Sequence, residues 1–307
     1  MPNQSEYNVF KFSLIKMRHS ELGHARCCSE SVIKIKSLMT KDKSKIQGER
    51  NFMENEEDEK SEILEEKIAR FQKLVDESHK IVFFGGAGVS TESGIPDFRS
   101  QDGLYRQEWK YPPETIISRS FFDANPREFY RFYRAKLIVK GAKPNITHKK
   151  LAELENAGKL TAVVTQNIDG LHQLAGSKKV YELHGSTLRN YCMRCGKFYG
   201  IDFIAQSENS PDKLPRCECG GLVKPDVVLY EESLDDKVVN GAIDAISKAD
   251  LLIIGGTSLV VYPAAGLIRY FKGKNLVLIN KSETQADSMA DLVIHAGLGK
   301  VFEKLRV

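Results

Sequence analysis

The sequence predicts an α/β fold in which a parallel sheet is covered by helices on both faces and two inserts form a smaller second region. Three observations predict it. Short apolar runs recur from Ile81 to Ile294, most of them separated by helical material, the alternation expected of a parallel sheet buried on both sides. Polar residues stand directly after several of these runs, where an open parallel sheet collects its ligands. Residues 101–147 and 189–222 break the alternation, the first rich in Tyr, Phe and Arg, the second carrying four cysteines.

The elements follow in chain order. Residues 1–52 show no sustained periodicity and hold ten Lys/Arg against five Asp/Glu, so a mostly disordered basic extension is expected there. Met53 is an alternative natural start, and the acidic cluster after it extends this outlying region to residue 60. From Ser61, read as an N-cap, Ile63, Leu64, Ile68, Phe71, Leu74 and Val75 mark one face of a helix. It leads into the apolar run Ile81–Phe84, a buried strand.

The loop after that strand, "GGAGVSTESGIPDFRS", brings backbone N–H groups close to an anion. It is not a G-x-G-x-x-G fingerprint. Counting from Gly86 and Gly88, the third position is Thr91, and no acid ends a second strand about twenty residues on. The remaining strand candidates are Leu160–Val164, Val180–Leu183, Val227–Leu229, Leu251–Gly255, Leu276–Ile279 and Leu292–Ile294.

Composition narrows the function classes. With 41% hydrophobic and 28% charged residues the chain is globular, and its net charge of +4 lies in the extension, which leaves −1 for the body. A near-neutral body argues against nucleic acid as the main ligand. No apolar run approaches the roughly 20 residues of a membrane helix, and the start lacks a secretory pattern, so the expected compartment is the cytoplasm.

Four of the six cysteines fall as "CMRCG" (Cys192, Cys195) and "CECGG" (Cys217, Cys219). Two close thiolate pairs suit one tetrahedral zinc, and four sulfur ligands leave no position for water, so the metal is structural. Reduced core cysteines or a disulfide are the alternatives, the latter disfavoured in a cytoplasmic setting. Cys27 and Cys28 receive no role.

Polar residues end four apolar runs: "TQNIDGLH" after Val164, "HGS" after Leu183, "TSL" after Gly256 and "NKSE" after Ile279. Any one of them serves equally as a cap or turn. Together they bring hydroxyls, amides, a carboxylate and an imidazole to one crevice, as a phosphate-and-ribose ligand requires. His184 stands just beyond a strand, and imidazole is the side chain whose ordinary pKa suits proton removal from a sugar hydroxyl near neutrality, so it is the candidate general base.

At these residues the chain resembles the sirtuin family of NAD-dependent protein deacylases. "GAGVSTESGIPDFR" (Gly86–Arg99), "TQNID" (Thr165–Asp169), "HG" (His184–Gly185), the four cysteines, "KPDVVLY" (Lys224–Tyr230), "GTSL" (Gly256–Leu259) and "LIN" (Leu278–Asn280) occur in the family's order. The resemblance implies one catalytic domain over residues 61–307. Its Rossmann-like part comprises 61–100, 148–188 and 223–307, with a helical insert at 101–147 and a zinc-ribbon module at 189–222.

It further implies that Ala87, Gly88, Ser90 and Thr91 line the site of the NAD pyrophosphate, that Phe98 covers the nicotinamide pocket and that Arg99 contacts the phosphates. Gln166 and Asn167 would hold the nicotinamide ribose, Ile168 and Asp169 the carboxamide, Thr257 and Ser258 the phosphate or adenosine side, Asn280 the adenine ribose, and Leu298 the adenine. Asn167 joins His184 as a catalytic residue. The implied reaction transfers the acetyl group of an acetyl-lysine protein or peptide to ADP-ribose with release of nicotinamide. The peptide would add as a strand between Val227–Tyr230 and Leu259–Tyr262.

Two departures from the family pattern bear on substrate. Members that prefer succinyl or malonyl lysine carry Tyr-x-x-Arg in the helical insert; here Tyr133 is followed by Lys136, which is no equivalent carboxylate fork, so an acetyl or longer apolar acyl group is expected. Glu231 stands where the family commonly has glycine. Rival readings are a mono-ADP-ribosyltransferase, a dehydrogenase, which would need the third glycine and the ribose acid, and a zinc-bearing scaffold with a merely structural sheet.

Overall fold

The structure, a computed structural model, describes residues 59–98, 103–104 and 109–307. The expectations for residues 1–52, including Cys27 and Cys28, and for Arg99 lie outside the described residues. The chain divides into two units, Met1–Glu62 and Ile63–Val307.

Residues 59–77 are helical (α1), so Ser61 lies inside the helix instead of capping it. Ile68, Phe71 and Val75 are its buried face, whereas Ile63 is exposed. Next come β1 (Ile81–Gly85), α2 (Pro113–Ile116), α3 (Arg119–Ala124) and α4 (Pro126–Phe132), which runs into a π-helical turn at Tyr133–Leu137. α5 (Ile146–Asn156), β2 (Leu160–Thr165), α6 (Leu171–Ala175), β3 (Val180–Glu182), β4 (Gly185–Cys192), β5 (Phe198–Tyr199) and α7 (Ile201–Gln206) follow. β6 (Val223–Val227), α8 (Asp236–Lys248), β7 (Leu251–Gly255), β8 (Asn275–Ile279), β9 (Leu292–Ile294) and α9 (Leu298–Phe302) complete the order.

Six strands form one sheet in the order β3-β2-β1-β7-β8-β9, and every pair in it is parallel. The chain starts in the middle, builds outward through β3, returns to the other side of β1 and builds outward again. The reversal between β1 and β7 opens a crevice at the carboxyl ends of these two strands. Alternate side chains of β1 serve two cores: Ile81 and Phe83 pack with Phe71, Val163, Ile253 and Phe302, Val82 and Phe84 with Val164, Ile246, Leu252 and Leu278. Each such buried side chain contributes about 1.5–3 kcal/mol, which is why these strands read as unbroken apolar runs.

One expected strand belongs elsewhere. Val227–Leu229 was a candidate for the parallel sheet; the strand is Val223–Val227, and it pairs antiparallel with β4 in a second sheet, β5-β4-β6. Its burial alternates, with Val223, Pro225 and Val227 inward and Lys224 and Asp226 less buried, because only one face of this small sheet meets a core. That core joins both inserts: Phe122, Phe129, Tyr130 and Tyr133 pack with Cys192, Ile204, Cys217 and Val223. The buried Tyr130 hydroxyl donates to the Val223 carbonyl across the junction, which satisfies a polar group that would otherwise be costly inside.

Candidate active site

The crevice between β1 and β7 widens into a cleft of about 1380 Å³ that runs from the sheet to the smaller region. That exceeds the volume of an ordinary small-molecule pocket, about 300–1,000 Å³, and has room for a dinucleotide with part of a peptide.

On the sheet side the backbone itself forms the wall. Gly88 N–H donates to the Gly256 carbonyl at 2.8 Å, and a Cβ on Gly88 would come within 2.8 Å of the Gly256 Cα. Gly256 has φ 58, and its Cβ would meet Val89 N at 2.5 Å. Thr91, at the position of the missing third glycine, uses its hydroxyl to close the loop on the Gly88 carbonyl at 3.0 Å. Ala87, Gly88, Ser90 and Thr91 all line the cleft. Leu298 is buried, and its methyls fill the space beside Gly255 and Gly256. Asn280 lines the far end, its side-chain amide donating to the Ser282 carbonyl at 2.7 Å. Phe98 borders the opposite side with Leu104 and Ile117.

The segment after β2 is held by a chain of polar contacts. Asn167 Nδ2 donates to Ser90 Oγ at 3.0 Å, and Ser90 Oγ donates to Asp169 Oδ2 at 2.7 Å. The other Asp169 oxygen accepts from Leu171 N at the start of α6, 2.9 Å. Gln166 Nε2 donates to Thr257 Oγ1 at 3.0 Å, a link across the sheet's switch point. Ile168 faces the cleft between them, and Ser258 lies exposed at its edge.

His184 projects into the same cleft from just beyond β3. Its Nδ1 is 3.0 Å from the Gln166 carbonyl. A carbonyl oxygen only accepts, so the bond requires the proton on Nδ1 and leaves Nε2 as a free acceptor. Burial pulls the pKa of His184 below 6.5, with the Gln166 hydrogen bond opposing in part. Gly185, with φ 74, lets β4 approach β6 so closely that a Cβ there would collide with the Asp226 carbonyl.

The four cysteines converge. All four Sγ atoms lie within 4.8 Å of one another, with Cys192–Cys219 and Cys195–Cys219 at 3.5 Å and Cys195–Cys217 at 3.6 Å. A tetrahedron with metal–sulfur bonds of about 2.3 Å has edges near 3.8 Å, so the quartet fits zinc. The cysteines are free of disulfides. The Tyr199 hydroxyl donates to Cys217 Sγ at 3.1 Å and the Arg194 backbone to Cys192 Sγ at 3.4 Å, as outer partners of a metal site do.

Sequence reasoning missed several supporting groups. Asn145 caps α5 and sends its amide to the Val89 carbonyl at 2.7 Å and Ser93 Oγ at 3.0 Å, tying the glycine-rich loop to that helix. Its N-cap position ahead of an apolar-periodic stretch was readable, but its partners were not. Glu92 accepts from Gly299 N at 3.1 Å, holding α9 against the loop. His148 and His172 are fully buried with ring centroids 4.7 Å apart.

A model of the Sir2 family matches residues 86–263. A protein named NAD-dependent protein deacetylase from Clostridium perfringens (strain 13 / Type A) is 63% identical over 246 residues, 79% of this chain and 99% of its own length. Another of that name from Clostridium acetobutylicum is 61% identical over 244 residues, 78% of this chain and 98% of its own. Among solved structures, one described as Sir2-p53 peptide-NAD+ superposes with TM-score 0.69 at 41% identity, covering 76% of this chain and 95% of the other. One described as Sir2 bound to acetylated peptide superposes with TM-score 0.69 at 40% identity, covering 77% and 96%.

Proposed function

The chain belongs to the Sir2 family, and from that premise we infer that it is an NAD-dependent protein deacetylase, a transferase that moves the acetyl group of an acetyl-lysine protein or peptide to ADP-ribose and releases nicotinamide. The single observation that carries this reading in the chain itself is His184, which lines the same cleft as the glycine-rich loop and is held as the Nδ1–H tautomer, leaving Nε2 to accept a proton.

NAD, when bound, supplies the ribose acceptor and a departing nicotinamide. The residues act around it. Glycines 86, 88 and 256 let the loop after β1 and the loop after β7 pack backbone to backbone, and Ala87, Gly88, Ser90 and Thr91 on the cleft wall so formed are assigned to the pyrophosphate. Phe98 with Ile168 shields the nicotinamide end from water, and Arg99 is assigned to the phosphates. Gln166 and Asn167, fixed through Thr257 and Ser90, orient the ribose hydroxyls, and Asp169 offers its carboxylate to the carboxamide. His184 Nε2 takes a proton from a ribose hydroxyl. Thr257 and Ser258 are assigned to the phosphate or adenosine side, Asn280 to the adenine ribose and Leu298 to the adenine. Positioning of this kind supplies much of a group-transfer barrier.

The acyl group is acetyl or a longer apolar chain in preference to succinyl. Tyr133 is fully buried and stacked on Phe129, so it does not pair with Lys136 as a carboxylate clamp at the cleft. Lys136 itself lines the cleft and lies 5.8 Å over the Trp109 ring. The zinc quartet is structural, and its reduced thiols suit a reducing compartment, for which we propose the cytoplasm; among the described residues no helix is long and apolar enough to cross a membrane.

The test is nicotinamide release from NAD by the purified protein, with and without an acetyl-lysine peptide, beside His184→Ala. Peptide-dependent release with matching deacetylation is expected. Labelled adenine transferred to protein without acyl loss would replace this reading with mono-ADP-ribosyl transfer.

A further inference from the structure

The rim of the cleft carries a carboxylate that is hydrogen-bonded but has no cationic partner among the described residues. Glu231 has φ 77, a backbone region that side chains other than those of Gly, Asn and Asp rarely adopt. Its carboxylate accepts from Ser120 N at 2.8 Å and Ser120 Oγ at 2.9 Å, in the first turn of α3, so the side chain is fixed while remaining exposed. The next residue behaves oppositely. Glu232 turns inward, accepting from Leu229 N at 2.8 Å, Lys224 at 3.0 Å and Arg119 at 3.1 Å. Arg119 also pairs with Asp123 at 2.9 Å.

Lys224 and Arg119 are thus engaged by Glu232 and Asp123. Glu231 forms no ion pair among the described residues, and it lines the cleft beside Tyr230. We propose that Glu231 is a specificity residue that favours acetyl-lysine peptides with a cationic side chain flanking the modified lysine over those with an acidic one. The inference rests on the deacetylase reading above and on a peptide path along Val227–Tyr230. A fixed carboxylate acts here better than a mobile one, because the Ser120 bonds hold it in place before a peptide arrives.

The experiment uses acetyl-lysine peptides identical except for one Arg or one Glu, placed in turn at the two positions on either side of the acetyl-lysine. The kcat/KM for deacetylation and the peptide affinity by fluorescence anisotropy are both measured. At the best position the wild type should prefer Arg over Glu by about two- to fivefold, the scale of an exposed ion pair, and the preference should shrink in high salt. Glu231→Gln should bring the ratio towards one, with its melting temperature checked in parallel. Ser120→Ala, which keeps the charge and the backbone bond but removes the hydroxyl one, should weaken the preference without abolishing it.

An Arg/Glu ratio of one in the wild type, or one unchanged in Glu231→Gln, would overturn the proposal. Absence of deacetylation with every peptide would instead count against the deacetylase reading, while anisotropy would still decide the charge preference.

Discussion

His184 Nδ1 stands 3.0 Å from the main-chain oxygen of Gln166, the residue whose side chain reaches Thr257 on the far side of the switch point. The imidazole is therefore oriented by backbone, with Nε2 as the nitrogen that accepts the proton and the Gln166 bond partly offsetting the loss of basicity caused by burial. Because burial holds its pKa below 6.5, the base is already unprotonated at neutrality. Deacetylation should be flat from pH 8 to about 6.5 and fall with a single ionisation below that. His184→Ala should lower kcat by about 10²–10⁴-fold without loss of the fold. A pH profile still rising through pH 8 would contradict this assignment.

The buried pair His148 and His172 makes stability acid-sensitive. Burial pushes His148 down to about 4, with Asp169 opposing, and pushes His172 down to about 3, with His148 adding to the effect. A depressed imidazole pKa means that the unfolded chain binds more protons than the folded one at mildly acid pH. The stabilisation is thus complete above 6.5 and is lost as pH falls from 6.5 towards the folded values. Between pH 7.5 and 5 each histidine should cost about 2 kcal/mol. Urea midpoints at the two pH values measure it, and equal midpoints would exclude it.

Two glycines with similar positive φ, 81 at Gly94 and 74 at Gly185, should respond differently to alanine. Gly94 has φ 81 and nothing within 4 Å of an added Cβ, so Gly94→Ala should cost only the backbone strain, about 1–2 kcal/mol. At Gly185 the same strain is joined by a collision with the Asp226 carbonyl. Gly185→Ala should lose about 1–3 kcal/mol more, and thermal melts of the pair provide the comparison.

Zinc content should be one per chain, and Tyr199 should govern how tightly it is kept. Its hydroxyl is the side-chain donor on Cys217 Sγ, so Tyr199→Phe should release zinc to a chromogenic chelator about tenfold faster with kcat little changed. Cys217→Ser should bind no zinc and expose the aromatic core to a hydrophobic dye, since Cys192 and Cys217 are themselves members of that core.

Much of this was legible in the sequence. Buried parallel strands must be apolar throughout, so Ile81–Phe84, Leu251–Gly255 and Leu276–Ile279 stood out, and a four-sulfur metal site needs its cysteines in close pairs. His184, Gln166 and Thr257 are legible as a set, because polar residues ending several strands of one parallel sheet meet in one crevice, although each alone fits a cap or turn. What stayed hidden depends on distant partners. The antiparallel pairing of β6 with β4 is decided by a one-sided core that local periodicity does not reveal. Asn145 reads as an ordinary helix cap until Val89 and Ser93 are seen beside it. Glu231 and Glu232 are adjacent and chemically alike, yet only the second is paired with cations, because the fold brings Arg119 and Lys224 to it.

The core shared by the two inserts also sets a schedule for synthesis. Phe122, Phe129, Tyr130 and Tyr133 leave the ribosome well before Cys192, Cys217 and Val223, against which they finally pack. At about 5–20 residues per second the interval is on the order of ten seconds. Through that time a nascent aromatic cluster lacks one of its walls, and its apolar surface stays exposed until the cysteine-bearing segment emerges to cover it.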